Sequence, residues 1–388
     1  MWLRKHLFWL SHFQINQCVR KGNHIVLLLM LMFLAACQGE PSPPNTTIYA
    51  VSQNGTVYAV NGKTGTISWS QHMSGGDNSR FGISAGLTLD HGIIYTSSSV
   101  DGGYVYAFQA QTGVVRWHTQ VHSQGIPSSP IFVNGVVYLS VTDQSLSSSH
   151  VYALTATNGS VIWSTSIQGC GTALTTVGDL LYLNAGVCTG TGYQGNVYAL
   201  DMHTGSIQWQ YPLDAVTSWK PVVLNGVVYS DGGGLIVALR ATDGHLLWQK
   251  KAPIDAHSPL VGAGTVLYTA ENGFLYALRA GDGSQLWQRH ISNQDLYDPT
   301  LIGNTLYLVS FFEPEIYAVR ARDGAVLWSY QTQAPSAGSF PVVDEGVVYF
   351  SMRDGTIYEL AESSGTLIVS YSITDARLFT HTPLAVGA

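Results

Sequence analysis

Only 11% of this 388-residue chain is charged, so the side chains able to do chemistry stand out. Four of them are cysteines: Cys18, Cys37, Cys170 and Cys188. Cys37 ends the run Leu34-Ala35-Ala36-Cys37, which looks like a bacterial lipobox whose cysteine is diacylated before cleavage. Cys170 and Cys188 lie in the exported part of the chain, where a disulfide is the default in an oxidising compartment; two buried free thiols are the alternative. Trp219 is the one tryptophan of the mature chain outside a repeated motif, and Lys220 follows it. With Asp298, Arg377 and His381 they form a set in which an indole could stack on a ligand and a lysine or arginine could hold an anion. The cysteines and histidines show no zinc-type spacing, and nothing marks a nucleophile elbow or triad. Neither a catalytic residue nor a cofactor is predicted.

The amino terminus reads as an address. Arg20-Lys21 precedes ten uninterrupted apolar residues, 25–34, too few to span a bilayer and suited to a signal peptide. Residues 1–36 are therefore expected to be a lipoprotein-type signal. Residues 1–18 add nothing such a signal needs, so initiation at Val19 is expected. Residues 37–45 form a proline-rich tether, lipidated at Cys37 and able to hold the protein on a membrane through two or three acyl chains. Gln38 stands where many Gram-negative lipoproteins carry an inner-membrane retention aspartate, which favours the outer membrane in such a host. The four bases of the signal face no acid, leaving 13 bases against 24 acids in the remainder. A domain that acidic repels phosphate backbones, so nucleic acid is not an expected partner.

Positioning these residues falls to a repeat. Val57-Tyr58-Ala59…Thr64-Gly65…Trp69 recurs with its tryptophan at Trp117, Trp163, Trp209, Trp248, Trp287 and Trp328. The spacings are 48, 46, 46, 39, 39 and 41 residues, and a degenerate eighth copy has Glu359 for the alanine and Val369 for the tryptophan. Each period holds four strand-like runs with Asn-Gly or Asp-Gly hairpin turns, as in 221–248. Four antiparallel strands repeated eight times predict an all-β, eight-bladed propeller over 46–388. Thr47–Val51 matches a second strand and 382–386 a first strand, so the carboxyl terminus is expected to complete blade 1. Each tryptophan is expected to lie flat against the alanine ten residues earlier and to fix one blade on the next.

Tight turns put one face of the ring in plain hairpins; the longer segments, including 118–128, 184–195, 210–219 and 370–380, share the other. Function concentrates on such loops. The residues before each first-strand proline, Ser129, Lys220, Ser258, Asp298, Phe340 and Thr382, are expected to ring the channel there, near Trp219, His257, Tyr297, Arg377 and His381. A plugged channel with solvated rim charges is the plainer reading. Cys170, starting blade 4, and Cys188, after its second strand, would meet at this face.

The motif Ala-x-x-x-x-[Thr/Asp]-Gly-x-x-x-Trp after Val/Ile-Tyr resembles the pyrroloquinoline-quinone (PQQ) propeller superfamily over 47–388. None of the tryptophans is followed by aspartate, which excludes WD40 repeats. In architecture and anchoring, the chain resembles the propeller lipoprotein of the outer-membrane β-barrel assembly machinery. That resemblance implies a non-catalytic scaffold at the cell envelope, binding envelope proteins or a small ligand on the long-loop face. Two alternatives are a PQQ- and calcium-dependent dehydrogenase and a surface sensor or carbohydrate-binding propeller. The dehydrogenase needs a tryptophan floor, calcium ligands and a basic aspartate, usually on long insertions. About 343 residues over eight blades leave no such insertions.

Overall fold

The computed structural model describes residues 46–73, 86–99, 103–123, 125–171, 173–186, 194–214, 220–232, 234–251, 260–296, 299–310, 314–333, 339–373, 378 and 384–387. Eight antiparallel sheets follow one another along the chain. Blade 1 contains β1 (Thr47–Val51), β2 (Thr56–Asn61) and β3 (Ile67–His72), and its innermost strand is β34 (Ala385–Gly387). Blade 2 holds β4 (Thr88–Asp90), β5 (Ile93–Ser98), β6 (Gly103–Gln109) and β7 (Val115–His122). Blade 3 holds β8 (Gly125–Pro127), β9 (Ile131–Val133), β10 (Val136–Asp143), β11 (Ser148–Thr155) and β12 (Val161–Gln168). Blade 4 holds β13 (Cys170–Gly171), β14 (Thr175–Val177), β15 (Leu180–Gly186), β16 (Gly195–Asp201) and β17 (Ile207–Leu213). Blade 5 comprises β18 (Val222–Leu224), β19 (Val227–Gly232), β20 (Leu235–Arg240) and β21 (Leu246–Lys251). Blade 6 comprises β22 (Val261–Ala263), β23 (Val266–Glu271), β24 (Phe274–Arg279) and β25 (Gln285–His290). Blade 7 comprises β26 (Thr300–Ile302), β27 (Thr305–Val309), β28 (Glu315–Arg320) and β29 (Val326–Gln331). Blade 8 comprises β30 (Val342–Asp344), β31 (Val347–Ser351), β32 (Thr356–Ala361) and β33 (Leu367–Ser372).

The expected eight-bladed ring is therefore present, closed by the carboxyl-terminal strand. β34 pairs with β1, setting Thr47, Ile48 and Tyr49 against Gly387, Val386 and Ala385. It also lies beside β30 of blade 8 and β4 of blade 2, so the innermost strands pass without a gap through the chain ends.

One row of residues crosses every blade. In blade 1, Ala385 faces Tyr49, Tyr49 faces Ala59, and Ala59 faces Trp69. The same register sets Tyr182 against Ala199 and Ala199 against Trp209 in blade 4. A bulge follows the alanine each time, as between Ala199 and Leu200, and it increases the local twist of the outer strands. The apolar core lies between blades: Tyr182, Val197, Ala199 and Trp209 of blade 4 pack with Val228, Val237 and Leu239 of blade 5.

The indole has a second docking surface besides the expected alanine. The alanine is the tryptophan's partner across the strands of its own blade, and the surface under the ring is the motif glycine of the next blade. A Cβ built on Gly113 would lie 2.6 Å from Cε3 of Trp69, and one on Gly244 2.6 Å from Cε3 of Trp209. The indole N–H reaches the same neighbour: Trp69 Nε1 donates to the Ala110 carbonyl at 2.8 Å and Trp209 Nε1 to the Ala241 carbonyl at 2.9 Å. Gly244 thus meets two demands, a backbone φ of +70° and no side chain beneath the indole. Burying each tryptophan this way is worth roughly 2–3 kcal/mol.

Candidate functional site

The first strands all start at the long-loop face, and the register identifies equivalent positions around the channel. Val222 opposes Tyr229, as Val261 opposes Tyr268, Ile131 opposes Tyr138 and Val342 opposes Tyr349. Two residues before these starts stand Gly86, Ser129, Ala173, Lys220 and Phe340 among the described residues. The expected positions Ser129, Lys220 and Phe340 fit this register, and Ser258 and Thr382 lie outside the described residues. A buried proline stands directly before the first strand in blades 3, 5, 7 and 8, and Leu260 and Leu384 take that place in blades 6 and 1. Trp219, Asp298, Arg377 and His381 lie outside the described residues, as do Cys37, Cys188, His257 and Tyr297.

Lys220 is the charged member of the described ring, and its setting is unusual. Its side chain is open to solvent yet has protein around it, and desolvation pulls its ammonium below the usual lysine range. Both facts fit a position inside the channel mouth. Continuing the β18–β19 register by two residues sets Lys220 opposite Asp231, an acid with only 5% exposure. Asp231 was not foreseen, although a buried acid in a second strand that carries Ser, Val or Ala at this place in most blades was a readable signal. Beside it, Ser230 Oγ donates to Asn184 Oδ1 at 3.1 Å and joins blade 5 to blade 4. Serine and asparagine thus join blades 5 and 4 next to Asp231, and Lys220 stands two residues before the first strand of blade 5.

The surrounding polar groups are tied to one another. The Gly86 amide donates to Ser129 Oγ at 2.8 Å, Thr88 Oγ1 to the Pro130 carbonyl at 2.6 Å, and Thr175 Oγ1 to the Pro221 carbonyl at 2.7 Å. These bonds run between neighbouring first strands and stiffen the mouth. In the blade 3 loop, desolvation raises the carboxyl pKa of Asp143, but hydrogen bonds from Ser145, Ser147 and Ser148 outweigh it and hold the value at about 2. That carboxylate orders residues 143–148 on the same face.

Cys170 opens blade 4 in β13, where it pairs with Gly186, and it is disulfide-bonded. Its expected partner Cys188 would follow Gly186 by two residues. Cys170→Ser is expected to cost about 3 kcal/mol, the value for closing a loop of this length. Non-reducing peptide mapping together with urea unfolding checks both the pairing and the loss.

The described residues were also tested against a quinone and calcium site. No group of three or more His, Cys, Asp or Glu gathers among them. The motif tryptophans stand on outer strands with their faces on the neighbouring blade's glycine, away from the channel. These residues do not fit such a group, and no step is derived through one.

Blades of this register, with Tyr–Ala–Trp rows docking on a neighbour's glycine, define a propeller of PQQ-type repeats. The family described as outer membrane protein assembly factor BamB, of the PQQ repeat class, matches residues 53–229, 193–306 and 296–382. The chain belongs to that family. No curated protein matches it significantly in sequence. Among solved structures it is similar to BamB from Moraxella catarrhalis, at 16% identity over 86% of this chain and 96% of that one, with a TM-score of 0.61. It is also similar to the computationally designed Ika8 protein, at 14% identity over 78% and 90%, TM-score 0.65. The quinohemoprotein alcohol dehydrogenase from Comamonas testosteroni aligns at 13% identity over 87% and 70%, TM-score 0.59. A family member, a designed protein and an enzyme share this ring, so the fold alone leaves function to the site.

Proposed function

We propose that this protein is a non-catalytic scaffold of the cell envelope, held to the outer side of a membrane by acyl chains on Cys37, that binds an acidic group of a partner protein at its loop face. The observation that carries the reading is Lys220, a solvent-open ammonium of an otherwise acidic domain, two residues before the first strand of blade 5 and desolvated by the protein around it. An ammonium held in a concave, partly desolvated place gains more from an incoming carboxylate than one on an open surface. Family membership supports the envelope location, because its description names an outer-membrane assembly factor. The stiffened rim supports binding over catalysis: its hydroxyls are committed to neighbouring strands.

Lys220→Glu tests the site, with crosslinking to envelope proteins and a pull-down from solubilised membranes as readouts. A partner captured by the wild type should lose at least tenfold in affinity on this charge reversal, the loss expected when like charges meet. Equal capture by wild type and variant would overturn the role of Lys220. Cys37→Ser tests the anchor: the protein should leave the membrane fraction and lose acyl labelling. In parallel, PQQ with Ca²⁺ should give no saturable change in tryptophan fluorescence; saturation with dye reduction would establish a quinoprotein instead.

A further inference from the structure

Seven seams are alike, and the eighth, between blades 8 and 1, is built from other residues. Where the other blades carry the alanine of the Tyr–Ala–Trp row, β32 carries Glu359, which faces Tyr349 on one side and Val369 on the other. Its side chain has 0% exposure. Carboxyl Oε1 accepts from Tyr371 Oη at 2.9 Å, and Oε2 has no hydrogen-bond partner among the described residues.

The replacements around it complement one another. Tyr371, two residues beyond Val369 on the same face of β33, takes the missing indole's place: its Cγ lies 2.7 Å from where a Cβ on Gly65 would stand. On blade 1, the position whose carbonyl receives the indole N–H elsewhere, Ala110 or Ala241, is Gly62. A Cβ there would meet Glu359 Oε1 at 3.2 Å and the Thr46 carbonyl at 3.1 Å. Thr46 Oγ1 in turn lies 3.2 Å from Tyr349 Oη. The carboxyl therefore occupies space that a larger residue at 62 would fill, at the seam where the two chain ends meet.

We propose that Glu359 is a proton-controlled latch of ring closure, holding blade 8 against blade 1 when neutral and loosening that seam when ionised. The neutral acid still accepts from Tyr371 and buries no charge, whereas a carboxylate there holds a net charge with one unpaired oxygen in a dry place, a far larger desolvation cost. The groups that face it are Tyr371 from β33, Tyr349 from β31, and Thr46 with Gly62 from blade 1. Burial raises the Tyr349 pKa to about 12 against a downward pull from its Thr46 hydrogen bond, and the charges of Glu359, Asp344 and Glu345 add smaller upward pushes. Among the described residues, no lysine, arginine or histidine pairs with Glu359.

Burial raises the Glu359 carboxyl pKa to about 7, against a downward pull from the Tyr371 hydrogen bond. A group whose pKa rises on folding binds its proton more tightly in the folded state. Its contribution is full below the unfolded value of 4.5 and is lost as pH climbs through about 7. The wild-type melting temperature should therefore fall between pH 5 and 8 by about 5 °C more than that of Glu359→Gln, which cannot ionise. Protection factors, corrected for the intrinsic rise of amide exchange with pH, should fall over the same range at 46–51 and 356–361 while those of the blade 4–5 seam stay constant. Glu359→Ala, restoring the residue of the other seams, removes the same pH dependence if the glutamine variant misfolds. Parallel melting profiles of wild type and both variants from pH 5 to 8, or a Glu359 carboxyl carbon titrating near its ordinary value by NMR, would overturn the latch.

Discussion

Trp209→Ala should lower stability by about 3–5 kcal/mol, the range for removing a large buried aromatic side chain. The indole is 8% exposed, tilts against Tyr182 at a centroid distance of 5.9 Å and hydrogen-bonds the Ala241 carbonyl of the next blade. Truncation leaves a cavity bounded by two blades and takes the indole donor from the Ala241 carbonyl, which keeps only the Tyr182 hydroxyl at 3.2 Å, and neither blade can collapse without shifting its sheet. Gly244→Ala attacks the same contact from the other side. The new methyl would lie 2.6 Å from the indole, on a backbone at φ +70°, so a loss of about 2–4 kcal/mol is expected. The two changes should not add. With the indole gone the methyl finds room, and the double variant should lie closer to Trp209→Ala than the sum, a coupling of about 1–2 kcal/mol. Urea unfolding of the four proteins measures the cycle. Full additivity would mean that the indole does not rest on Gly244.

The ring was legible in the sequence because its signals are local. Val57-Tyr58-Ala59, the turn at Gly65 and Trp69 occur within thirteen residues, and the Asn-Gly hairpin at 225–226 needs no distant partner to be read. Both lost partners of the eighth copy, Glu359 and Val369, were visible too. What replaced them was not: Tyr371 meets Gly65 and Glu359 meets Gly62 across a seam between residues about 300 apart in sequence, and no spacing rule links them. The glycine side of the docking surface was not foreseen, for the same reason. Trp209 and Ala199 are ten residues apart and invite pairing, whereas Gly244 belongs to the next repeat and touches the indole through tertiary packing. At the mouth, Lys220 was identified from its place before a proline, but Asp231 emerges only through the β18–β19 register. The division of the first strand into β8 with β9, and β13 with β14, likewise depends on where β10 and β15 run on past the usual length.

A variant ending at residue 381 should lose cooperative unfolding near physiological temperature, a larger effect than any single seam substitution. It lacks β34, the innermost strand of blade 1, and with it the backbone partners of Thr47, Ile48 and Tyr49. Leu384 and Ala385 leave the core, and Gly387 no longer packs on Leu89 of blade 2. Beyond these contacts, β34 bridges β30 and β4, so its removal parts the innermost layer at one point and exposes a sheet edge to other chains. Closing the ring between residues about 340 apart costs about 5 kcal/mol of chain entropy, and only the β34 pairing and the blade 8–1 seam repay it. Without β34 that seam must hold alone, with Tyr371 where its neighbours have a docked indole and a buried glutamate where they have alanine. The truncated chain should therefore show a broad thermal transition and concentration-dependent aggregation by light scattering. A synthetic peptide of residues 382–388 should restore part of the transition, since the missing strand pairs through its backbone. A melting curve equal to that of the full chain would mean that blades 8 and 1 are joined strongly enough without the strand, and the closure argument would fall.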